Sequence, residues 1–213
     1  MKHGASMPHH STESAPTTAG RLIHHARLYD LLGKKMSGGR DTLVELAALA
    51  TGEHVLDVGC GTGTVALALA ARVPAATVIG IDGSPEMIEV AQAKAKSSAT
   101  AVEFRVAVIE SLPFADDSFD VVTSSLMLHH LPVELKRAGL AEVRRVLKPG
   151  GRFLAVDFAR ESHSPLGHLL SVLGRGRGPA AIDSLAPLLA EAGFDHVTPT
   201  PTRHRNLLFV QAR

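Results

Sequence analysis

Hydrophobic positions recur along this chain in two periods, and the switches between them mark out its elements. Over residues 21–36 the apolar positions Leu22, Ile23, Ala26, Tyr29, Leu32 and Met36 return at three- and four-residue steps, the period of one helix face. A second helix is predicted over 41–50, closing at Gly52. The run His54-Val55-Leu56-Asp57-Val58 is short, apolar and followed by glycines, which marks a buried strand ending in a tight turn. From there the patterns take turns: helix 64–72, strand 77–81, helix 85–96, strand 102–107, strand 119–125, helix 135–147 and, after Lys148-Pro149-Gly150-Gly151, strand 152–158. Beyond 158 the pattern loosens, because Pro165, Gly174, Gly176, Gly178 and Pro179 leave room only for a short helix over 166–173. A last helix over 182–192 stops at Gly193, and the runs 196–202 and 206–212 read as a terminal antiparallel pair. Strands alternating with helices predict an α/β fold: a Rossmann-like, doubly wound, mostly parallel seven-stranded sheet with an antiparallel last strand and helices on both faces.

A length of 213 residues suits one large domain, and no Pro/Gly/Ser-rich linker divides the middle. Residues 1–20 are too polar to pack and are expected to be a disordered tail, so the His9-His10 doublet is given no role. The domain is expected to occupy 21–213. With 45% hydrophobic and 20% charged residues and a net charge of +1, nothing demands a nucleic-acid partner. The single cysteine, Cys60, forms neither an internal disulfide nor a metal cluster, so no metal is expected and a reducing cytoplasm fits. The chain lacks an apolar run of spanning length and a signal-peptide core, so neither export nor insertion is expected.

The first strand-to-helix turn, Asp57-Val58-Gly59-Cys60-Gly61-Thr62-Gly63, is the most informative segment. Ligands of open α/β sheets bind beyond the carboxyl ends of the strands, and glycines there let the backbone approach a ligand. A dinucleotide fingerprint needs glycine or alanine at position 64, where Thr64 stands. Asp57 would repel a pyrophosphate but welcome a cofactor bearing an amino group and a sulfonium. Asp82, at the end of the next strand, is placed to accept from ribose hydroxyls, although an acid before Ser84-Pro85 also suits a helix cap.

These segments, with Gly80-Ile81-Asp82-Gly83-Ser84-Pro85-Glu86-Met87, Leu112-Pro113-Phe114, Ser118-Phe119-Asp120-Val121-Val122 and Leu147-Lys148-Pro149-Gly150-Gly151, resemble the ordered motifs of class I S-adenosylmethionine-dependent methyltransferases over about 55–158. Within that superfamily the chain is most similar to the group of ubiquinone and menaquinone C-methyltransferases and related small-molecule enzymes. The resemblance implies S-adenosylmethionine as cofactor and S-adenosylhomocysteine as product. It implies that Asp57, Gly59, Cys60, Gly61, Thr62 and Gly63 cradle the methionine part, that Asp82 and Gly83 hold the ribose, and that Met87 packs near the adenine. Val108 and Ile109 would line the adenine edge, and Ser125 would contact the cofactor. The family commonly has an aspartate where Val108 stands, so the adenine is expected to be held by backbone groups around Ile109 or by Glu110. The resemblance further casts 21–52 as lid helices, with His25 and Tyr29 towards the substrate, and 159–180 as a variable substrate-side insertion.

Methyl transfer from a sulfonium is an in-line displacement that positioning and water exclusion accelerate, with a base optional. His129 and His130, just after Ser124-Ser125-Leu126-Met127-Leu128, are the candidate bases; both could instead bond loop backbone and pack below the site. Asp157 ends the fifth strand and could face the acceptor or cap a loop. Cys60 reads as a small packing residue. The function predicted is methyl transfer to a small-molecule acceptor, quinone-like or lipid-like, by a monomer or homodimer with at most peripheral membrane contact. The rivals are a noncatalytic S-adenosylmethionine-binding protein, an NAD(P)-dependent oxidoreductase and a nucleic-acid methyltransferase. The last lacks both a strongly basic face and an Asn/Asp-Pro-Pro-Tyr type motif after the fourth strand.

Overall fold

The computed structural model describes residues 37–158, 185–200 and 207–213. The predicted helix over 21–36 with His25 and Tyr29, the tail, and the insertion over 159–180 all lie outside the described residues. Seven strands form one sheet: β1 (His54–Val58), β2 (Thr77–Asp82), β3 (Val102–Val106), β4 (Phe119–Ser125), β5 (Leu147–Phe158), β6 (Val197–Thr200) and β7 (Leu207–Ala212). Their order is β3-β2-β1-β4-β5-β7-β6, and only β7 runs against its neighbours. The predicted sheet is therefore present, with its last strand wedged between β5 and β6. The chain leaves β1 towards β2 and β3 on one side and returns to β4 on the other. That reversal opens a crevice at the carboxyl ends of β1 and β4, where such sheets take their ligands.

Alternation along each strand builds two cores. Leu56 and Val58 of β1, Val122 of β4, Phe153 and Ala155 of β5 and Val210 of β7 share one face with Leu140, Val143 and Val146 of α4 (Val133–Val146) and Leu185, Leu188 and Leu189 of α5 (Leu185–Glu191). Val55, Val78, Phe104, Val121, Leu154 and Phe209 share the other with α1 (Ser37–Ala47), α2 (Thr64–Arg72) and α3 (Pro85–Ser98). Helix α3 starts where its sequence dictates. Ser84 is the N-cap, its hydroxyl accepting from the Met87 N–H, and Pro85 takes the first turn.

Two departures from the sequence expectation are the largest. The helix expected over 41–50 is α1, which starts at Ser37 and ends at Ala47. Ala48 turns into the left-handed region at φ 43°, and the Arg152 guanidinium, paired with Glu53 at 2.7 Å, donates to the Ala47 and Ala48 carbonyls. A cation 105 residues away caps the helix, which no local signal could announce. Leu43 and Ala47 are fully buried, so this second of the two expected lid helices belongs to the core. The other difference is the run Lys148-Pro149-Gly150-Gly151, which lies inside β5 instead of before it. Phe119 pairs with Leu147 but Val121 with Arg152, so the strand absorbs the extra residues as a bulge.

Candidate functional site

Asp57, next to last in β1, lies between two neighbours in register, Gly80 of β2 and Thr123 of β4. It is 1% exposed. Its Oδ1 accepts from the Thr123 hydroxyl at 2.7 Å, while Oδ2 has no hydrogen-bond partner. Burial pushes its pKa up to about 7, against the pull of the Thr123 hydroxyl and the Ala66 backbone N–H. A buried carboxylate oxygen without a donor is costly unless something supplies one. Ser125 has the same character: its hydroxyl is buried and unpartnered. Both residues line one open cleft together with Arg40, Gly59, Cys60, Thr62, Thr64 and Val65.

The glycine turn shapes that cleft. Gly59 has φ +66°, and a Cβ there would lie 2.2 Å from Cγ of Met127, so the chain after β4 rests directly on the turn. Helix α2 begins behind Gly63 with no side-chain cap, and Thr64 and Val65 line the cleft, so the positive end of the helix adjoins it. Asp82 holds the turn in place: Oδ2 accepts from the Gly61 N–H and Oδ1 from the Ser84 N–H, both at 2.9 Å. Burial raises the Asp82 pKa, opposed by those two bonds. Ser84, and not Asp82, caps α3, and each Asp82 oxygen keeps a second lone pair for a ligand. The half-buried Cys60 rests its sulfur 3.1 Å from where a Gly80 Cβ would be, and burial drives its thiol pKa well up, as suits a packing residue and not a nucleophile.

Met87 is 2% exposed on α3. Val108 is buried and forms an isolated bridge with Ser111. Ile109 turns its side chain into the core against Gly139 of α4, and Glu110 is half-buried. The loop that carries them is anchored from α4: Glu142 accepts from the Leu112 N–H, and Arg145 donates to the Leu112 and Phe114 carbonyls.

At the end of β4, Leu126 takes φ +55° while buried, its N–H donating to the Val156 carbonyl. A leucine in the left-handed region costs about 1–2 kcal/mol. The turn sends Met127 over Gly59 and delivers the short 3₁₀ turn Leu128–His130 to the end of β5. There Asp157, 3% exposed, accepts from the His129 N–H at 3.0 Å and holds His129 Nδ1 at 2.6 Å. The two sequence candidates thus meet, across 28 residues, while the His130 ring lies against His129 with centroids 3.9 Å apart and the planes tilted by 44°. Lys136 on α4 lies buried beside them. Burial lowers its pKa, and Asp157 is the charge that opposes this.

Sequence reasoning missed Arg40, Thr123, Leu126 and Lys136. Thr123 is identifiable only once β1 and β4 are known to pair with Asp57 opposite it. Lys136 carried a faint signal, being one helical turn before the buried Leu140 and Val143 on a single stripe.

A family model described as a methyltransferase domain matches residues 55–151. The chain is 40% identical over 139 residues to ubiquinone/menaquinone biosynthesis C-methyltransferase UbiE of Geotalea daltonii, covering 62% of this chain and 58% of that protein. It is 39% identical over 160 residues to an arsenite methyltransferase of Halobacterium salinarum, covering 73% of this chain and 40% of that one. The chain therefore spans less than two thirds of either relative. The solved structure of the YcgJ protein from Bacillus subtilis is similar at 29% identity and a TM-score of 0.63, over 79% of this chain and 74% of that one. With the glycine turn, the acids Asp57 and Asp82 and the seven-stranded sheet in place, residues 55–151 match a methyltransferase domain, and the chain resembles the class I S-adenosylmethionine-dependent methyltransferases.

Proposed function

We propose that this chain binds S-adenosylmethionine in the cleft beyond β1 and β4 and transfers its methyl group to a small-molecule acceptor. The observation that carries the reading is the unpartnered Oδ2 of Asp57 beside an arginine: Asp57 is buried and shares the cleft with Arg40. An anion and a cation facing one cleft suit the amino and carboxylate groups of an amino acid, and they suit a pyrophosphate poorly. Asp57 receives the ammonium, while Arg40 and the uncapped start of α2 attract the carboxylate. Ser125 supplies a hydroxyl from the β4 side, and Asp82 and Gly83 take the ribose, with Met87, Val108, Ile109 and Glu110 around the base. When bound, the cofactor supplies a sulfonium methyl ready for in-line displacement.

The names of the relatives, a ubiquinone/menaquinone biosynthesis C-methyltransferase and an arsenite methyltransferase, support small-molecule acceptors. No helix among the described residues is long and apolar enough to cross a membrane, and the lone cysteine supports a cytoplasmic setting. Calorimetry tests the reading: S-adenosylhomocysteine should bind and NAD should not. Asp82→Ala should weaken binding by about 1.5–3 kcal/mol, the worth of hydrogen bonds to a charged acceptor. Binding of NAD in preference, or no effect of the Asp82 change, contradicts it.

A further inference from the structure

His129, in the turn after β4, is tied twice to one carboxylate: Asp157 Oδ2 accepts its backbone N–H at 3.0 Å, and Asp157 Oδ1 meets its ring Nδ1 at 2.6 Å. The Phe158 N–H also donates to Oδ1, at 2.9 Å. Those two backbone N–H groups already converge on Asp157, so it acts as an acceptor and its ring partner must be the donor. Nδ1 then carries the hydrogen, and Nε2, across the ring, keeps its lone pair. Lys136, on the buried stripe of α4, is the neighbouring cation, whose charged form Asp157 favours against the cost of its burial. The ring is also held in orientation, with His130 at 3.9 Å on one contact and Phe158 at 5.0 Å and 71° on another. The left-handed Leu126 joins this assembly to Ser125, the last residue of β4, which lines the cofactor cleft. Capping the loop would need only the backbone bonds. The ring bond adds orientation.

We propose that His129 is the general base of the transfer, that Asp157 is its positioning residue, and that the acceptor belongs to the class that gives up a proton from its attacking atom, a phenol-type hydroxyl or an acidic ring carbon. The inference rests on the methyl-transfer reading above. His129 Nε2 takes the proton from the acceptor atom, and the pair so freed forms the new bond to the methyl carbon. The carbon–sulfur bond breaks with its pair left on sulfur, which becomes a neutral thioether, and His129 passes the proton to solvent. An acceptor attacking through an atom without a proton has no use for this pair.

Nitrogen-15 spectra of the imidazoles in the full chain, with His129 assigned by its loss in His129→Asn, should show Nδ1 protonated and Nε2 bare. Asp157→Asn should shift His129 towards the Nε2-protonated tautomer. With 1,4-naphthoquinol as acceptor, Asp157→Asn and His129→Asn should each lower kcat by about 10²-fold or more at unchanged KM for the cofactor. His129→Asn leaves Asp157 and its Phe158 bond in place, so it carries the kinetic test if Asp157→Asn fails to fold. An Nε2-protonated His129 in the unaltered protein, full turnover in His129→Asn, or preferential methylation of dimethyl sulfide, whose attacking sulfur bears no proton, overturns the proposal. Calorimetry with S-adenosylhomocysteine separates the two readings: retained binding alongside any of these results sinks this inference alone, whereas no binding by the unaltered chain sinks the methyl-transfer reading itself.

Discussion

The two sides of the crevice are built by different means. On the β1–β2 side the working parts are local: a turn from Gly59 to Gly63, a carboxylate at the end of each strand, and N–H bonds from Gly61 and Ser84 to Asp82. On the β4–β5 side they are assembled from a distance, with His129 and Asp157 separated by 28 residues and a leucine, not a glycine, in the left-handed turn that joins them. The first side spends backbone freedom where glycine makes it cheap. The second stores strain at Leu126 and recovers it through packing and the Asp157 bonds. A cofactor site shared by a superfamily can be local and repetitive, while a site for one acceptor depends on side chains that only the finished fold brings together.

The comparison breaks most easily at the point where the two sides touch. Gly59→Ala places a Cβ at φ +66° and 2.2 Å from Met127 Cγ, so it combines a left-handed penalty with overpacking and should cost about 3 kcal/mol. Gly150→Ala has a similar φ, +78°, but nothing within 4 Å, and should cost only about 1–2 kcal/mol. Urea unfolding of both variants checks this, and equal losses would mean that Met127 does not bear on the turn. A smaller effect is expected at Thr123, whose hydroxyl favours the ionised form of Asp57. Thr123→Val should weaken S-adenosylhomocysteine binding near pH 7 by about 1 kcal/mol, measured by calorimetry. The smallest effect is expected at Val108. If the adenine is read through backbone groups, Val108→Asp leaves cofactor affinity unchanged or slightly tighter. A large loss would show that the buried bridge to Ser111 needs an apolar residue, since an unpaired carboxylate there is costly.

What the sequence discloses follows the same division. Strand and helix periods locate β1 to β4 and α2 to α4 within a few residues, because each of these elements buries one face and its pattern is local. The glycine turn, Asp57 and Asp82 are legible for the same reason. The end of α1 was not, since it is set by Arg152, 105 residues away on β5, and neither was the start of β5, where a bulge disguises a strand as a turn. His129 and Asp157 were each visible as candidates, but their pairing was not, because register and the Leu126 turn decide it. Arg40 gave no sign of its place beside Asp57: it sits in a helix whose own pattern speaks only of its buried face.

The measurement that tests the central claim most directly is the proton balance of S-adenosylhomocysteine binding, obtained by calorimetry in buffers of different ionisation enthalpy. Free Asp57, with its pKa raised to about 7 by burial, carries a proton below that value. That proton favours the free folded state at acid pH, and its stabilising effect is lost as the pH rises from the ordinary carboxylate range to about 7. An ammonium arriving at the vacant Oδ2 favours the carboxylate and expels the proton. Binding at pH 6 should therefore release about one proton, the release should fade towards zero by about pH 8.5, and affinity should strengthen from pH 5 to 7. Binding at pH 6 with no proton release, or with proton uptake, would contradict the assignment of Asp57 as the receptor of the cofactor's amino group.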